Sequence, residues 1–277
     1  MELTKKRTEK GIIALLSILV LVLFLFPFYI ALVQSFKTPL ETAYNALALP
    51  QALNFDNFKE AIKKINFFSS LKNSFFVTVC GVLLIVVCSA MSGYAIARNH
   101  GIYFKALDKV FLSSIMIPFQ VIMIPAYKLL KSLNLLNNLW GEIIMLVGMS
   151  IAYSSFLYVG FVKSVPIELE EAAYIDGCGR FRTFWEIVFP LLKPITATTA
   201  ALHAMWLWND FNVSLIVLQK DAVRTLTIKQ FYFFSEYASD YNMAFAAALM
   251  GMIPILLAFL FLQKYLVSGI TNGAVKG

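Results

Sequence analysis

Six long apolar runs limit the fold of this chain more than any other feature. At a helical rise of about 1.5 Å per residue, roughly 20 residues cross a hydrocarbon core of about 30 Å. Five of the six runs contain no Lys, Arg, Asp or Glu, and none alternates like a barrel strand. Because lipid offers backbone groups no partner, the sequence predicts an all-α integral membrane protein with six transmembrane helices. The predicted spans are 12–33, 73–97, 110–127, 143–162, 194–218 and 241–263.

The composition agrees with a membrane protein and excludes several other classes. Apolar residues (A, V, I, L, M, F, W, Y and C) make up 60% of the 277 residues, and 14% are charged, against about 25% in soluble domains. A soluble monomer of this size could not hide so much apolar surface. The three cysteines have no CxxC or Cys/His spacing, so neither a disulfide scaffold nor a metal site is predicted.

The flanks of the first run predict the orientation of the chain. Lys5, Lys6, Arg7 and Lys10 precede it, whereas only Lys37 follows closely, and positive residues favour the cytoplasmic side. The run is longer than the roughly 7–15 residues of a signal-peptide core, so we expect a retained anchor. Six spans then return the C-terminus to the cytoplasm. The predicted regions are a cytoplasmic N-terminus over 1–11, a six-helix membrane domain over 12–267 and a cytoplasmic tail over 268–277.

Four prolines lie inside the apolar runs, at positions 27, 118, 125 and 254. Each removes a backbone donor and predicts a kink in its helix. Two interpretations stay open: kinks that packing tolerates, or helices bent around a moving cavity.

Residues 163–193, between the fourth and fifth runs, form neither a span nor an ordinary loop. Pro166 suits a helix start, with acidic residues in the first turns, and Gly177 and Gly179 bracket a bend. A second helix is predicted to end at Pro190 and to pack one apolar stripe against the bundle. Both a docking lever and an interfacial amphipathic helix fit this periodicity. The acidic residues are Glu168, Glu170 and Glu171, and the stripe is Phe181, Phe184, Trp185 and Val188.

This segment resembles the signature loop of membrane subunits in ABC importers. That signature has E-A-A, three residues, G, nine residues and I-x-L-P, and only Phe189 departs from it, replacing Leu. Other motifs are similar to the carbohydrate, maltose-type branch: Gly93–Arg98, Met116–Leu130, Trp208–Phe211 and Ser268–Gly277. The matching loop residues are Glu171, Ala172, Ala173, Asp176, Gly177, Ile187 and Pro190.

The resemblance implies a type I ABC importer permease fold and a permease subunit in a bacterial cytoplasmic membrane. It implies ATP-driven import of sugars or oligosaccharides, in which this chain forms half of the translocation pathway. The implied partners are a second permease subunit in a heterodimer, two ATPase subunits and an extracytoplasmic solute-binding protein. No cofactor is expected on this chain, because ATP and Mg would be bound by the ATPase.

The resemblance also implies roles for particular residues. The loop at 168–190 would lie in a groove of the ATPase, where Glu171 makes a charged contact and Ala172 and Ala173 permit close approach. Gly177 would supply the turn. The outer loop 219–242 would touch the binding protein, although its aromatic residues suit a headgroup belt equally well. The C-terminal tail, with Gly273 and Lys276, would reach between the ATPase subunits, although from its residues alone it is a flexible polar end.

The chain itself is not predicted to be an enzyme. It contains no GxxxxGK[ST] phosphate loop. One alternative is a secondary transporter or channel subunit not driven by ATP, which would need several intramembrane charges, whereas Asp210 is the only one predicted. Another is an intramembrane enzyme, since His203 and Asp210 share a helix face, but neither a nucleophile motif nor a metal motif accompanies them.

The fifth run carries the main intramembrane polar cluster. An ionisable group such as Asp210 at that depth is a functional-site hypothesis. Sugar hydroxyls and rings suit such polar and aromatic side chains, and a hydrogen bond between helices is the alternative interpretation. The candidates for a substrate path are Trp206, Asn209, Asp210 and Asn212 in this run and Gln120 in the third.

Overall fold

The computed structural model describes the backbone of residues 2–231, 233 and 240–274, and the side chains of residues 10–231, 233 and 240–263. Every regular element in these ranges is helical, as predicted. A π-helical turn covers Phe184–Val188 and a 3₁₀ turn covers Asp221–Val223. The α-helices are α1 Glu2–Ser35, α2 Pro39–Tyr44, α3 Asp56–Lys64, α4 Phe67–Arg98, α5 Ile102–Ile115, α6 Phe119–Ser132, α7 Leu139–Val162, α8 Glu168–Ile175, α9 Arg180–Thr183, α10 Phe189–Leu191, α11 Lys193–Trp208, α12 Asn212–Val217, α13 Leu226–Phe231 and α14 Tyr241–Ala274.

Four of the six predicted spans are continuous helices, and the number reaches six only if each of two strongly bent helix pairs is counted as one span. Four continuous segments are long and apolar enough to cross a membrane: 10–35, 67–98, 139–162 and 241–263. The two bent pairs are α5 with α6, and the 180–191 segment with α11; each pair is long and apolar enough for one broken span or one re-entrant loop. The first pair is bent by 110° and the second by 77°.

The third predicted span, 110–127, is wrong as a single helix. The chain breaks at Pro118, whose backbone is extended (φ −62°, ψ 142°). The amides of Met116 and Ile117 close the last turn of α5 on Ser113 and Ser114. Since Pro118 cannot donate a backbone hydrogen bond, the helix stops there and α6 starts in a new direction. The other three intramembrane prolines lie inside helices α1, α6 and α14.

The fifth predicted span, 194–218, is also divided. Helix α11 ends at Trp208, and α12 begins at Asn212 after a short break. Leu192 lies at the bend before α11 and is fully buried. Proline at the second position of α11 suits a helix start, because its missing amide hydrogen would have no partner there.

The chain divides into two compact units. Unit 1 consists of residues 1–67 and 229–253. Buried polar side chains hold the end of α1 in this unit: Lys37 Nζ donates to the Asn45 carbonyl at 2.8 Å, and Asn242 Nδ2 donates to the Gln34 carbonyl at 2.8 Å. By contrast, none of the most apolar stretch of α1 is buried within the chain.

Unit 2 consists of residues 68–228 and 254–277. One of its apolar clusters joins α4, α7, the 184–192 segment and the start of α11, around Tyr158 and Val188. The other joins α4, α7 and α12, around Ile85 and Leu146. We call the end of unit 2 that carries α8 the loop end, and the end that carries segment 219–226 the opposite end.

Candidate functional site

The segment 163–193 folds as two short helical stretches separated by a turn, as the sequence predicts. Helix α8 ends at Ile175, and the second stretch begins with α9 at Arg180. Gly177 has φ +84°, a conformation that residues with a Cβ rarely adopt. Its amide donates to Tyr174 at 3.0 Å and the amide of Cys178 donates to Ala173 at 2.9 Å, which closes the C-terminus of α8. Gly177 therefore makes the turn that its position predicts.

The signature residues of this loop do not all face outward. Glu171, Ala172, Asp176 and Gly177 are exposed. Ala173 is buried, with 6% of its surface exposed, so only Ala172 of the two alanines offers a surface that a partner could approach closely. Ala173 lies one residue beyond Ala172 on α8, a rotation of about 100° for a helix of 3.6 residues per turn, which turns it into the chain.

The predicted apolar stripe of the second stretch is buried in part. Phe184 and Val188 are buried and Trp185 is half-buried, but 68% of Phe181 is exposed. The helix also does not end at Pro190. It continues to Leu191, because Pro190 occupies a first-turn position of α10, directly after the π-helical turn, where its lack of an amide hydrogen is tolerated.

Several large apolar side chains of this loop are exposed although they lie outside the candidate spans. Exposed surface reaches 86% for Ile175 and 43% for both Leu169 and Tyr174. Apolar patches exposed outside lipid commonly mark protein–protein contact sites. We call Leu169, Tyr174 and Ile175 the exposed loop patch.

A buried ion pair that was not predicted from the sequence attaches the loop to the bundle. Arg98 Nε lies 2.7 Å from Glu170 Oε1, and Tyr94 Oη donates to Glu170 Oε2 at 2.8 Å. Glu170 is 3% exposed. Arg98 ends an apolar span and Glu170 lies in an acidic helix start, but nothing in the sequence pairs residues 72 positions apart.

The polar cluster of the fifth span is organised around Ser214. Asp210 Oδ2 accepts a hydrogen bond from the Ser214 amide at 2.9 Å, so Asp210 stabilises the start of α12 after the break. The Ser214 hydroxyl donates to Oε1 of Glu142, which is fully buried at the start of α7. The prediction that Asp210 is the only buried intramembrane carboxyl is therefore wrong. Glu142 was missed because it lies one residue before the predicted fourth span.

The remaining substrate-path candidates are exposed on this chain and are not gathered into one site with Asp210. Gln120, Trp206, Asn209 and Asn212 are all exposed, and Asn209 Nδ2 donates to the Met205 carbonyl at 2.8 Å. Trp206 lines a cleft of about 350 Å³ between α7 and α11. The other lining residues are Met149, Ser150, Tyr153, Leu202 and His203.

His203 is attached to α7 and is not placed for chemistry with Asp210. One ring nitrogen, Nε2, lies 2.6 Å from the Ser154 hydroxyl, and the ring packs 5.9 Å from that of Trp206. Across the described residues, no group of three His, Cys, Asp or Glu side chains could hold a metal ion. Lys276 lies outside the described residues, and of Gly273 only the backbone is described, within α14.

Comparison with known proteins identifies the family of this chain. Residues 81–272 match the family described as binding-protein-dependent transport system inner membrane component. The chain belongs to this family. It is thus a multi-pass protein of the cytoplasmic membrane and a transport permease subunit, which supports the main prediction over a secondary transporter or channel subunit.

Members of this transport family resemble the chain over nearly its whole length. The probable starch degradation products transport system permease protein AmyC of Thermoanaerobacterium thermosulfurigenes is 38% identical, over 98% of this chain and 99% of that protein. The multiple sugar-binding transport system permease protein MsmG of Streptococcus mutans is 37% identical, over 92% and 93%. The melibiose/raffinose/stachyose import permease protein MelC of Bacillus subtilis is 36% identical, over 96% of each.

Solved structures support the predicted ABC importer permease fold. A chain of a bacterial ABC transporter that imports the acidic polysaccharide alginate aligns with a TM-score of 0.83 at 21% identity, over 94% of this chain and 97% of the other. A chain of the alginate transporter in complex with alginate pentasaccharide-bound periplasmic protein aligns with a TM-score of 0.70 at 17% identity, over 93% of each.

Proposed function

We propose that this chain is one of two membrane subunits in an ATP-driven importer of sugars or oligosaccharides, and that it forms half of the translocation pathway. The sugar-transport names of relatives at 36–38% identity support this substrate class. The observation that carries the proposal is the exposed loop 168–190. It combines the E-A-A signature, a glycine turn and the exposed loop patch on a chain of this transport family.

The loop is proposed to dock into a groove of an ATPase subunit. Glu171 is exposed beside Ala172, which leaves its carboxylate available for a charged contact. The exposed loop patch supplies apolar area that a protein groove would bury. Closure of two ATPase subunits would then move the loop, and the bundle would alternate between inward-facing and outward-facing packing.

The partners and the orientation follow from this assignment. The loop end faces the cytoplasm, as do both termini, and a solute-binding protein meets the opposite end. ATP and Mg are bound by the ATPase, so this chain needs no cofactor and no catalytic residue. Gly273 and Lys276 remain proposed contacts of the tail with the ATPase. The unburied apolar stretch of α1 is available to the second permease or to lipid.

The substrate path is proposed to use the exposed polar and aromatic residues more than Asp210. Asp210 already accepts a hydrogen bond at the start of α12, which supports a structural role. Trp206 offers an aromatic face on which a sugar ring could stack, and Gln120, Asn209 and Asn212 offer amides for hydroxyl groups.

Sugar uptake by the complete complex in proteoliposomes tests the proposal. We expect uptake to require ATP inside the liposomes, on the side of the ATPase. Glu171→Lys should lower uptake per ATP hydrolysed while the subunit stays in the membrane. The matched control is Glu60→Lys, which makes the same change of charge at an exposed residue of α3, outside the loop. Uptake that persists without ATP would overturn the proposal.

A further inference from the structure

Helix α4 is hydrogen-bonded at both ends to segments that are not spanning helices. At the loop end, Arg98 is its last residue. Arg98 Nε lies 2.7 Å from Glu170 Oε1 on α8, and Nη2 donates to the Val165 carbonyl at 2.8 Å. One turn earlier, Tyr94 Oη donates to the other carboxylate oxygen of Glu170 at 2.8 Å.

This attachment is buried and geometrically specific. The side chains of Arg98 and Glu170 are 14% and 4% exposed, and both oxygens of the carboxylate are bonded. The ring of Tyr94 also packs against Phe184, with centroids 5.0 Å apart. Separating α8 from α4 would leave a buried charge without its partner, which is strongly unfavourable. Helix α8 and the end of α4 therefore move together or not at all.

At the opposite end, α4 holds a different segment. Asn73 Nδ2 donates to the carbonyls of Ala222 and Arg224, at 3.1 Å each. The buried Ser74 hydroxyl accepts a hydrogen bond from the Leu226 amide at 2.8 Å. Segment 222–226 thus has three hydrogen bonds to the first turns of α4.

Between these attachments α4 is a single stiff element. It runs for 32 residues without proline, about 48 Å at the helical rise. It also packs closely on α7: a Cβ at Gly93 would lie 2.5 Å from Tyr158 Cβ and 3.1 Å from the Ser155 carbonyl oxygen. A continuous, proline-free helix bonded at both ends can transmit an axial or tilting displacement from one end to the other.

We propose that α4 carries movement between the coupling helix α8 and segment 222–226, with Arg98 and Asn73 as the positioning residues at its two ends. The inference rests on the proposed function, in which α8 meets the ATPase and segment 222–226 belongs to the outer loop facing the solute-binding protein. Through α4, docking of the binding protein at one end would then stimulate ATP hydrolysis by the ATPase at the other. Because coupling between sites is reciprocal for binding, ATP should change the affinity for the binding protein through the same helix.

The test measures how strongly the solute-binding protein stimulates ATP hydrolysis by the whole complex in proteoliposomes. The binding protein is loaded with maltotriose or raffinose, whichever it retains. Arg98→Lys keeps the charge, but a single ammonium cannot reproduce the fork to both Glu170 and Val165. Asn73→Ala removes two hydrogen bonds at the opposite end and leaves no buried charge. The control is Ser92→Ala, which removes a hydrogen bond from α4 to Ser155 on α7 and touches neither attachment.

We expect each attachment variant to lose about fivefold or more of the stimulation, the lower end of ordinary coupling between sites. Ser92→Ala should stay within about twofold. If both attachments serve one path, the double variant should lose no more stimulation of ATP hydrolysis than the more impaired of the two single variants. Co-purification of both ATPase subunits and the unstimulated hydrolysis rate report assembly, which a merely structural role would change.

The outcomes separate this inference from the proposed function. Wild-type complex that imports sugar without ATP would overturn the proposed function, and this inference with it. Wild-type coupling together with unchanged stimulation in assembled Asn73→Ala complexes would overturn the inference alone. If the Arg98→Lys complex fails to assemble, the stimulation of ATP hydrolysis in Asn73→Ala is compared with that in Ser92→Ala. Equal stimulation in these two variants would overturn the inference.

Discussion

Replacing Gly177 by alanine tests whether the turn of the loop has to be held in its observed shape. Gly177 and Gly179 lie two residues apart, and a Cβ at either position would meet no atom within 4 Å. They differ in backbone conformation: Gly177 has φ +84°, whereas Gly179 has φ −73° and ψ 161°. Alanine therefore fits at Gly179 without strain and is strained at Gly177.

The expected loss of affinity for the ATPase subunit follows from this difference in backbone conformation. A left-handed conformation costs an L-residue about 1–2 kcal/mol, which corresponds to a factor of about 5–30 in an equilibrium constant. If docking requires the observed turn, Gly177→Ala should weaken binding of the ATPase subunit by that factor. Gly179→Ala should leave the affinity unchanged within about twofold, because alanine adopts this extended conformation without strain and its methyl group would meet no atom within 4 Å.

The assay is titration of labelled ATPase subunit onto membrane subunits that have been purified and stripped of it. The ratio of the two dissociation constants reports the strain at Gly177. Equal dissociation constants for Gly177→Ala and Gly179→Ala would refute the reasoning, whether both match the wild type or both are weaker. Either result would mean that the backbone conformation at Gly177 does not matter for docking.

Three further predictions concern other parts of the chain. Glu142→Gln keeps the acceptor for the Ser214 hydroxyl, whereas Glu142→Ala removes it and leaves that hydroxyl only the Asp210 carbonyl at 3.5 Å. The lost hydrogen bond should cost about 1–3 kcal/mol, so the Glu142→Ala complex should unfold at a lower temperature than the Glu142→Gln complex. Backbone hydrogen bonds from Thr38 and Gln51 lower the pKa of Glu41 below its ordinary 4.5. The stabilisation of α2 is therefore fully present above that ordinary pKa and is lost as pH falls through the lowered pKa, which hydrogen exchange at the α2 amides would detect. Trp206→Ala should lower uptake more than Trp206→Phe, because phenylalanine keeps an aromatic face for a sugar ring; equal uptake by the two variants would argue against stacking.

The sequence predicts the elements of this fold better than their directions. Hydropathy identifies α7 because its apolar run continues without a break. The same measure joins α5 to α6, since Met116, Ile117 and Pro118 are apolar and do not interrupt the run, although the backbone turns there by 110°. Composition indicates whether a segment lies in lipid or in water. The bend, by contrast, depends on one backbone hydrogen bond that Pro118 cannot donate.

The site shows a similar limit. Gly177 was predictable because a turn after an acidic helix start requires a residue that tolerates positive φ. The pairing of Arg98 with Glu170 was not, because it depends on how α4 and α8 pack in three dimensions. The burial of Ala173 was not predictable for a related reason: its neighbour Ala172 is exposed, and only the orientation of α8 determines which of two adjacent alanines faces the protein interior.

The bare apolar surface of α1 has a consequence for biogenesis. None of its most apolar stretch is buried by the described part of the chain, so insertion of this helix into the bilayer depends mainly on its own affinity for lipid. In a subunit synthesised alone, α1 should therefore lie in the membrane without a partner helix, where membrane quality-control proteases can recognise it. If the second permease covers that helix, balanced synthesis of the two subunits would protect both from degradation.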